Sequence, residues 1–155
     1  MSNNLHGTAV ILGDRGVFIQ GKSGSGKTEL ALELLARVRS YGQFVRLVAD
    51  DQLLVSSAGG KLLMTAPQTI TGLVEVRGLG LRSIASQGKA VIDLVVTLLG
   101  PKQAERMPEP SLFTIQSISL PELKLAAHNV HDAASVVLAQ LGIGLFDAVH
   151  MRQNG

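Results

Sequence analysis

The chain has 155 residues, 46% hydrophobic but only 3% aromatic, with a formal net charge of +2 and no cysteine. That length predicts one domain burying about two-thirds of its extended surface around Leu, Val, Ile and Ala, with neither disulfides, thiolate metal sites nor a Cys nucleophile. Scattered basic residues and scarce aromatics argue against nucleic acid, while the absence of a signal-like N-terminus or a ~20-residue apolar run predicts a cytoplasmic protein with no membrane span.

In chain order, residues 8–12 read as a strand, 13–16 as a turn and 17–20 as a second strand, together an antiparallel hairpin. The second strand runs into Gly21-Lys22-Ser23-Gly24-Ser25-Gly26-Lys27-Thr28, which matches G-x-x-x-x-G-K-[ST]. A helix follows, with Ala31, Leu34, Leu35 and Val38 as its apolar stripe and Glu33 and Arg37 paired at i,i+4. Strand, Gly-rich loop and helix in that order form a phosphate-binding loop. Its backbone N–H groups cradle a β-phosphate, Lys27 spans β and γ oxygens, and the Thr28 hydroxyl serves as a ligand of Mg²⁺. The N-terminal end of the helix adds a positive dipole end aimed at the anion. The loop alone leaves kinase, ATPase and switch GTPase equally open.

Residues 44–49 form a nearly continuous apolar run, the pattern of a buried and central strand. The run ends in Asp50-Asp51, 23 and 24 residues after Lys27. If this strand neighbours the loop strand, both acids return to the loop's edge of the sheet, one to hold a metal through water and one to accept a proton. Adjacent strand residues face opposite ways, so the two acids should differ in role.

Farther along, 52–56 and 61–65 read as a hairpin, 67–71 as a short helical turn, and 73–76 as a strand leading into the Gly-rich segment 77–80. Residues 90–99 read as one strong strand and 101–111 as an irregular segment with three prolines. Residues 112–118 form a weaker strand, 120–123 a turn, and 132–141 a helix capped by Asp132. His128 and His131 carry no motif and read as surface residues. The expectation is a single α/β P-loop kinase-like domain over 1–155, its mixed central sheet holding the phosphate loop between a strand and a helix, with a tail from about 145.

Leu5-His6-Gly7, the G-K-S-G-S-G-K-T-E-L-A-L-E-L loop and helix, R-L-V-A-D-D ending at Asp51, and Glu75-Val76-Arg77-Gly78-Leu79-Gly80 occur in the order and spacing of the catalytic domain of bacterial HPr kinase/phosphorylase. From about residue 5 to residue 98 the chain resembles that family, and it looks like the shorter, single-domain versions found in α-proteobacteria. The resemblance implies ATP-dependent phosphorylation of a serine on HPr, the phosphocarrier of the sugar phosphotransferase system, and in many members the reverse, phosphate-dependent dephosphorylation. It further implies the aspartate pair as proton acceptor, with Asp51 preferred, His6 beside it, and Glu75 joining Thr28 around Mg²⁺. Arg77, Gly78, Leu79 and Gly80 become the approach for the protein substrate, Arg106 an arginine assisting the chemistry, and a homo-oligomer of trimer or hexamer type the expected assembly.

Two other readings share the loop. A small-molecule P-loop kinase would need an Arg-rich lid, for which 101–110 offers only Lys102 and Arg106. A nucleotide-sensing module without turnover would lack the proton acceptor, against which the aspartate pair argues.

Overall fold

The computed structural model describes residues 2–67, 72–104 and 111–145. Its strands are β1 (Ser2–His6), β2 (Thr8–Leu12), β3 (Arg15–Gly21), β4 (Val45–Ala49), β5 (Gln52–Ala58), β6 (Lys61–Thr65), β7 (Leu73–Val76), β8 (Gly80–Ser83), β9 (Lys89–Val91), β10 (Leu94–Leu99), β11 (Ser111–Ile115) and β12 (Ile118–Ala126). The helices are α1 (Lys27–Ser40), the short α2 (Pro101–Ala104) and α3 (Val130–Leu141). None of them is long and apolar enough to cross a membrane, among the described residues.

A six-stranded mixed sheet in the order β11-β12-β10-β3-β2-β4 is the centre of the molecule. Period-2 alternation sends its side chains to two cores. Val10, Leu12, Val17, Ile19, Val96 and Leu98 pack under α1 and α3 on one face. Ala9, Ile11, Phe18, Val48 and Val95 meet Leu53, Val55, Leu62 and Met64 of a second sheet, β1-β5-β6-β9, on the other. Helix α1 buries Leu30 as well as the expected stripe of Ala31, Leu34, Leu35 and Val38. Its Arg37 reaches Glu33 at 2.8 Å and also ties α1 to α3, donating to Ser135 Oγ at 3.0 Å and to the His131 carbonyl at 3.1 Å.

The 8–20 hairpin, the 52–65 hairpin and the strand at 73–76 form as read. Other expectations change. Strand β4 is at the sheet's edge rather than its centre; Leu47, Val48 and Ala49 are buried because both faces meet a core there, Val45 and Arg46 are half-buried, Phe44 ahead of them is exposed, and the outer backbone is covered. Leu47 N–H donates to the Ala85 carbonyl and Gln87 N–H to the Leu47 carbonyl. The run at 90–99 is two strands in two sheets, broken where Asp93 clamps Gly16, its backbone N–H donating to the Gly16 carbonyl and its carboxylate accepting from the Gly16 N–H, each at 2.8 Å.

The strand read at 112–118 and the turn read at 120–123 are both displaced: the turn lies at Gln116-Ser117, between β11 and β12, and residues 120–123 are strand. Pro121 is tolerated because pairing of β12 with β10 begins only at Glu122, so on that side the missing N–H has no partner strand to serve. Helix α3 starts after Asn129, with Asp132 inside its first turn and accepting from Asn129 Nδ2 at 3.1 Å. The turn read at 67–71 lies outside the described residues from 68 onward, as does the tail from 146.

Candidate active site

The phosphate loop leaves β3 at Gly21 and enters α1 after Gly26, which caps the helix at φ 97°, a left-handed conformation that glycine adopts without a Cβ clash. No side chain caps this helix. The free N–H groups of its first turn therefore remain available to an anion, reinforced by the helix dipole. The Lys27 ammonium lies folded over the loop, donating to the Gly21 and Lys22 carbonyls at 3.0 Å each.

Strands β3 and β4 are not neighbours, because β2 lies between them. Since β2 is antiparallel to both, β3 and β4 run the same way, and their C-terminal ends meet at one edge. Asp50 at the end of β4 thereby reaches the loop: its Oδ1 accepts from Thr28 Oγ1 at 2.8 Å and from Thr8 Oγ1 at 2.9 Å. Thr8 is 1% exposed and was not singled out in the sequence; a hydroxyl at the first position of an otherwise apolar strand, just after His6-Gly7, is the signal that marks it.

Asp51 differs from its neighbour. It is exposed and held at φ 81°, unusual for a residue with a side chain. Its carbonyl accepts from the Gly7 N–H at 3.0 Å, which brings the His6-Gly7 backbone beside it. A Cβ on Gly7 would stand 2.3 Å from the Phe18 ring, so only glycine lets the chain pass there. The His6 side chain itself is exposed on β1, opposite Gln52.

One cleft of about 610 Å³ collects these groups. Ser23, Gly24, Gly26, Lys27 and Thr28 line it on the loop side, Thr8, Asp50 and Asp51 at the strand ends, and Leu73, Glu75, Arg77 and Leu81 on the β7–β8 hairpin. The hairpin turns at 77–79, and Arg77 stands 3.5 Å from Glu29 in a largely exposed ion pair. Gly78, Leu79 and Gly80 are exposed at its tip; Gly21, Lys22 and Ser25 belong to the loop behind the cleft lining. Arg106 lies outside the described residues. A second cavity of about 490 Å³, among Leu35, Arg39, Phe44, Arg46 and Ile84, has no carboxylate in its lining and does not include the loop.

Among the described residues no group of three His, Cys, Asp or Glu side chains could hold a metal by itself. At phosphate sites Mg²⁺ is held by one or two protein ligands, with phosphate oxygens completing the shell. Thr28 and Glu75, oxygen donors lining one cleft, fit such a use.

A family model, the HPr Serine kinase C-terminal domain, matches residues 1–141. Two curated relatives named HPr kinase/phosphorylase are similar over about half of the chain. The protein from Clostridium tetani is 43% identical over 82 residues, 53% of this chain and 25% of that one. The protein from Exiguobacterium sibiricum is 46% identical over 78 residues, 50% of this chain and 23% of that one. The match to this chain therefore spans about a quarter of each relative. The solved structure of the Hpr(Ser) kinase/phosphatase from Coxiella burnetii shares the fold, with a TM-score of 0.73 at 23% identity, covering 87% of this chain and 93% of that one.

Proposed function

The chain belongs to the HPr Serine kinase C-terminal domain family, and from that premise we propose that it is a protein serine kinase, moving the γ-phosphoryl group of ATP to a serine of an HPr-type phosphocarrier. The observation that carries the reading is the Asp50–Thr28 hydrogen bond, which joins an acid to the phosphate loop at 2.8 Å. A second supports a protein as acceptor. Leu79 and Leu81, 59% and 62% exposed, stand on the hairpin that walls the cleft, together with Leu73. Contiguous exposed leucines at a cleft rim suit a docking protein better than a small polar acceptor.

In this reading the N–H groups of the loop and the Lys27 ammonium stabilise the charge on the transferring group. Lys27 exchanges its two carbonyl partners for phosphate oxygens when the anion enters. Asp50 receives the serine proton. Both of its hydrogen bonds fall on Oδ1 and hold the carboxylate against the loop, whereas Asp51, preferred from the sequence, is exposed and has no such anchor. The P–O bond to ADP breaks as the bond to the serine oxygen forms, roughly in line. Mg²⁺, held by Thr28 and Glu75 with the phosphates, supplies neutralising charge when bound. The Gly7–Asp51 backbone bond keeps His6 next to the aspartate segment, which it orients in this reading, and residues 77–80 receive the carrier. Phosphate-dependent removal of the phosphoryl group is the same site run backwards, with Arg106 assisting.

Incubation with MgATP and HPr-type carrier, followed by mass measurement and mapping of the modified residue, tests this. A gain of one phosphoryl group on serine is expected. Absence of phosphoserine with the wild type, or an undiminished signal with Asp50 and Asp51 both changed to Asn, sinks it. Adding inorganic phosphate to phosphorylated carrier tests the reverse direction.

A further inference from the structure

The cleft accounts for one side of the phosphate loop only. Asp50, Asp51 and the β7–β8 hairpin crowd that side, so the terminal phosphate faces them and the nucleoside must leave on the other. There the chain supplies a second wall. Strands β10 and β12 run parallel to β3, which brings the segments following them to the same C-terminal edge as the loop, where ligands of such sheets bind.

The β12–α3 connection, Ala127-His128-Asn129, is pinned at both levels. Ala127 N–H donates to the Leu99 carbonyl at 2.8 Å, and His128 N–H donates to the Ser25 carbonyl, inside the phosphate loop, at 3.3 Å. His128 N also lies 3.9 Å from where a Cβ on Gly26 would stand. His128 holds φ 62°, the left-handed region that is unfavourable for a residue with a side chain. Its imidazole is exposed. Strain of this kind, held in place by neighbours, clusters where a ligand is bound.

Other rings are elsewhere. His6 is exposed on β1 opposite Gln52, next to the Gly7 that bonds Asp51, on the aspartate side of the loop. Phe18 is buried and packs edge-on against Phe113. Tyr41 and Phe44 lie beyond the far end of α1, about 20 Å along its axis. His131 is committed to Arg37, its Nδ1 2.9 Å from the guanidinium. Among the described residues His128 is therefore the ring-bearing residue whose backbone bonds to the phosphate loop, and its side chain is exposed.

We propose that His128 and its connection form the base subsite of the nucleotide, the imidazole stacking on the heterocyclic ring while the loop holds the phosphates. This rests on the nucleotide reading above, and its test separates the two. Calorimetric titration of the full chain with MgATP and with magnesium tripolyphosphate compares a ligand that has a base with one that lacks it. His128→Asn and His128→Gly remove the ring while keeping residues that tolerate positive φ, so the backbone bond to Ser25 survives.

In both variants the Kd for ATP should rise about 5- to 20-fold, within the range of base–ring stacking, while the Kd for tripolyphosphate stays within about twofold of wild type. Equal weakening of both ligands would mean that His128 acts through the loop, and unchanged ATP affinity would mean that the base lies elsewhere; either overturns the subsite. Wild type binding tripolyphosphate no more weakly than ATP also overturns it. Wild type binding neither ligand removes the nucleotide reading and the subsite with it.

Discussion

Thr28 Oγ1 donates to Asp50 Oδ1 at 2.8 Å although β2 separates the strands that deliver them. The contact joins the last residue of the phosphate loop to the first acid after β4, and it distinguishes Asp50 from Asp51. Asp50→Asn should lower phosphoserine formation by about 10²-fold or more, the usual contribution of a proton acceptor, while leaving ATP affinity within a few-fold. Asp51→Asn should cost less. Single-turnover assays of both variants decide between the acids, and the opposite ranking would return the role to Asp51.

Thr28→Ala removes the hydroxyl that Mg²⁺ would use and leaves Asp50 with Thr8 alone. The benefit of Mg²⁺ to ATP affinity, read as the ratio of Kd without and with the metal, should shrink toward 1. Affinity for metal-free ATP should hardly move, because the loop N–H groups remain. A full Mg²⁺ effect in the variant would exclude Thr28 as a metal ligand.

The exposed leucines of the hairpin give a test of acceptor class. Leu79→Ser combined with Leu81→Ser should raise KM for the carrier protein about tenfold, in line with the loss of two apolar contacts, and leave KM for ATP unchanged. Unaltered carrier kinetics would mean that the protein docks elsewhere.

Stability should respond to Arg37 without involving the chemistry. Arg37→Ala breaks the Glu33 pair and the bonds to Ser135 and the His131 carbonyl, and should cost about 1–3 kcal/mol in chemical denaturation. Leu34→Ala, at a fully buried site, should cost about 2–5 kcal/mol. Similar losses in the two variants would show that the polar tie between α1 and α3 matters as much as the core beneath it.

Gly16 offers a backbone test remote from the loop. A Cβ there would stand 1.8 Å from the Val91 carbonyl oxygen, a clash only backbone movement relieves. Gly16→Ala should lower the denaturation midpoint by more than Leu34→Ala relative to its change in volume, and should loosen the Asp93 clamp, detectable as faster hydrogen exchange at residues 92–94.

Local pattern was enough for the parts of this protein whose physics is local. The strand, Gly-rich loop and helix around Lys27 are contiguous, so their spacing carries the strand–loop–helix unit that forms, and the apolar stripe of α1 follows from a 3.6-residue period. The hairpins at 8–20 and 52–65 were likewise legible from turn residues between alternating strands. The burial of 47–49 was legible too, though not the exposure of Phe44, and burial alone does not distinguish a central strand from an edge strand whose outer side is covered by 84–87.

What only the tertiary structure decided depends on strand order and on contacts far apart in sequence. An antiparallel β2 between β3 and β4 is what returns Asp50, rather than Asp51, to Thr28. The partition of 90–99 between two sheets depends on Asp93 meeting Gly16, 77 residues away. His128, a featureless surface histidine in the sequence, lies against Ser25 because β10 and β12 run parallel to β3. None of these follows from period or motif, since each is fixed by which backbone the sheet places next to which.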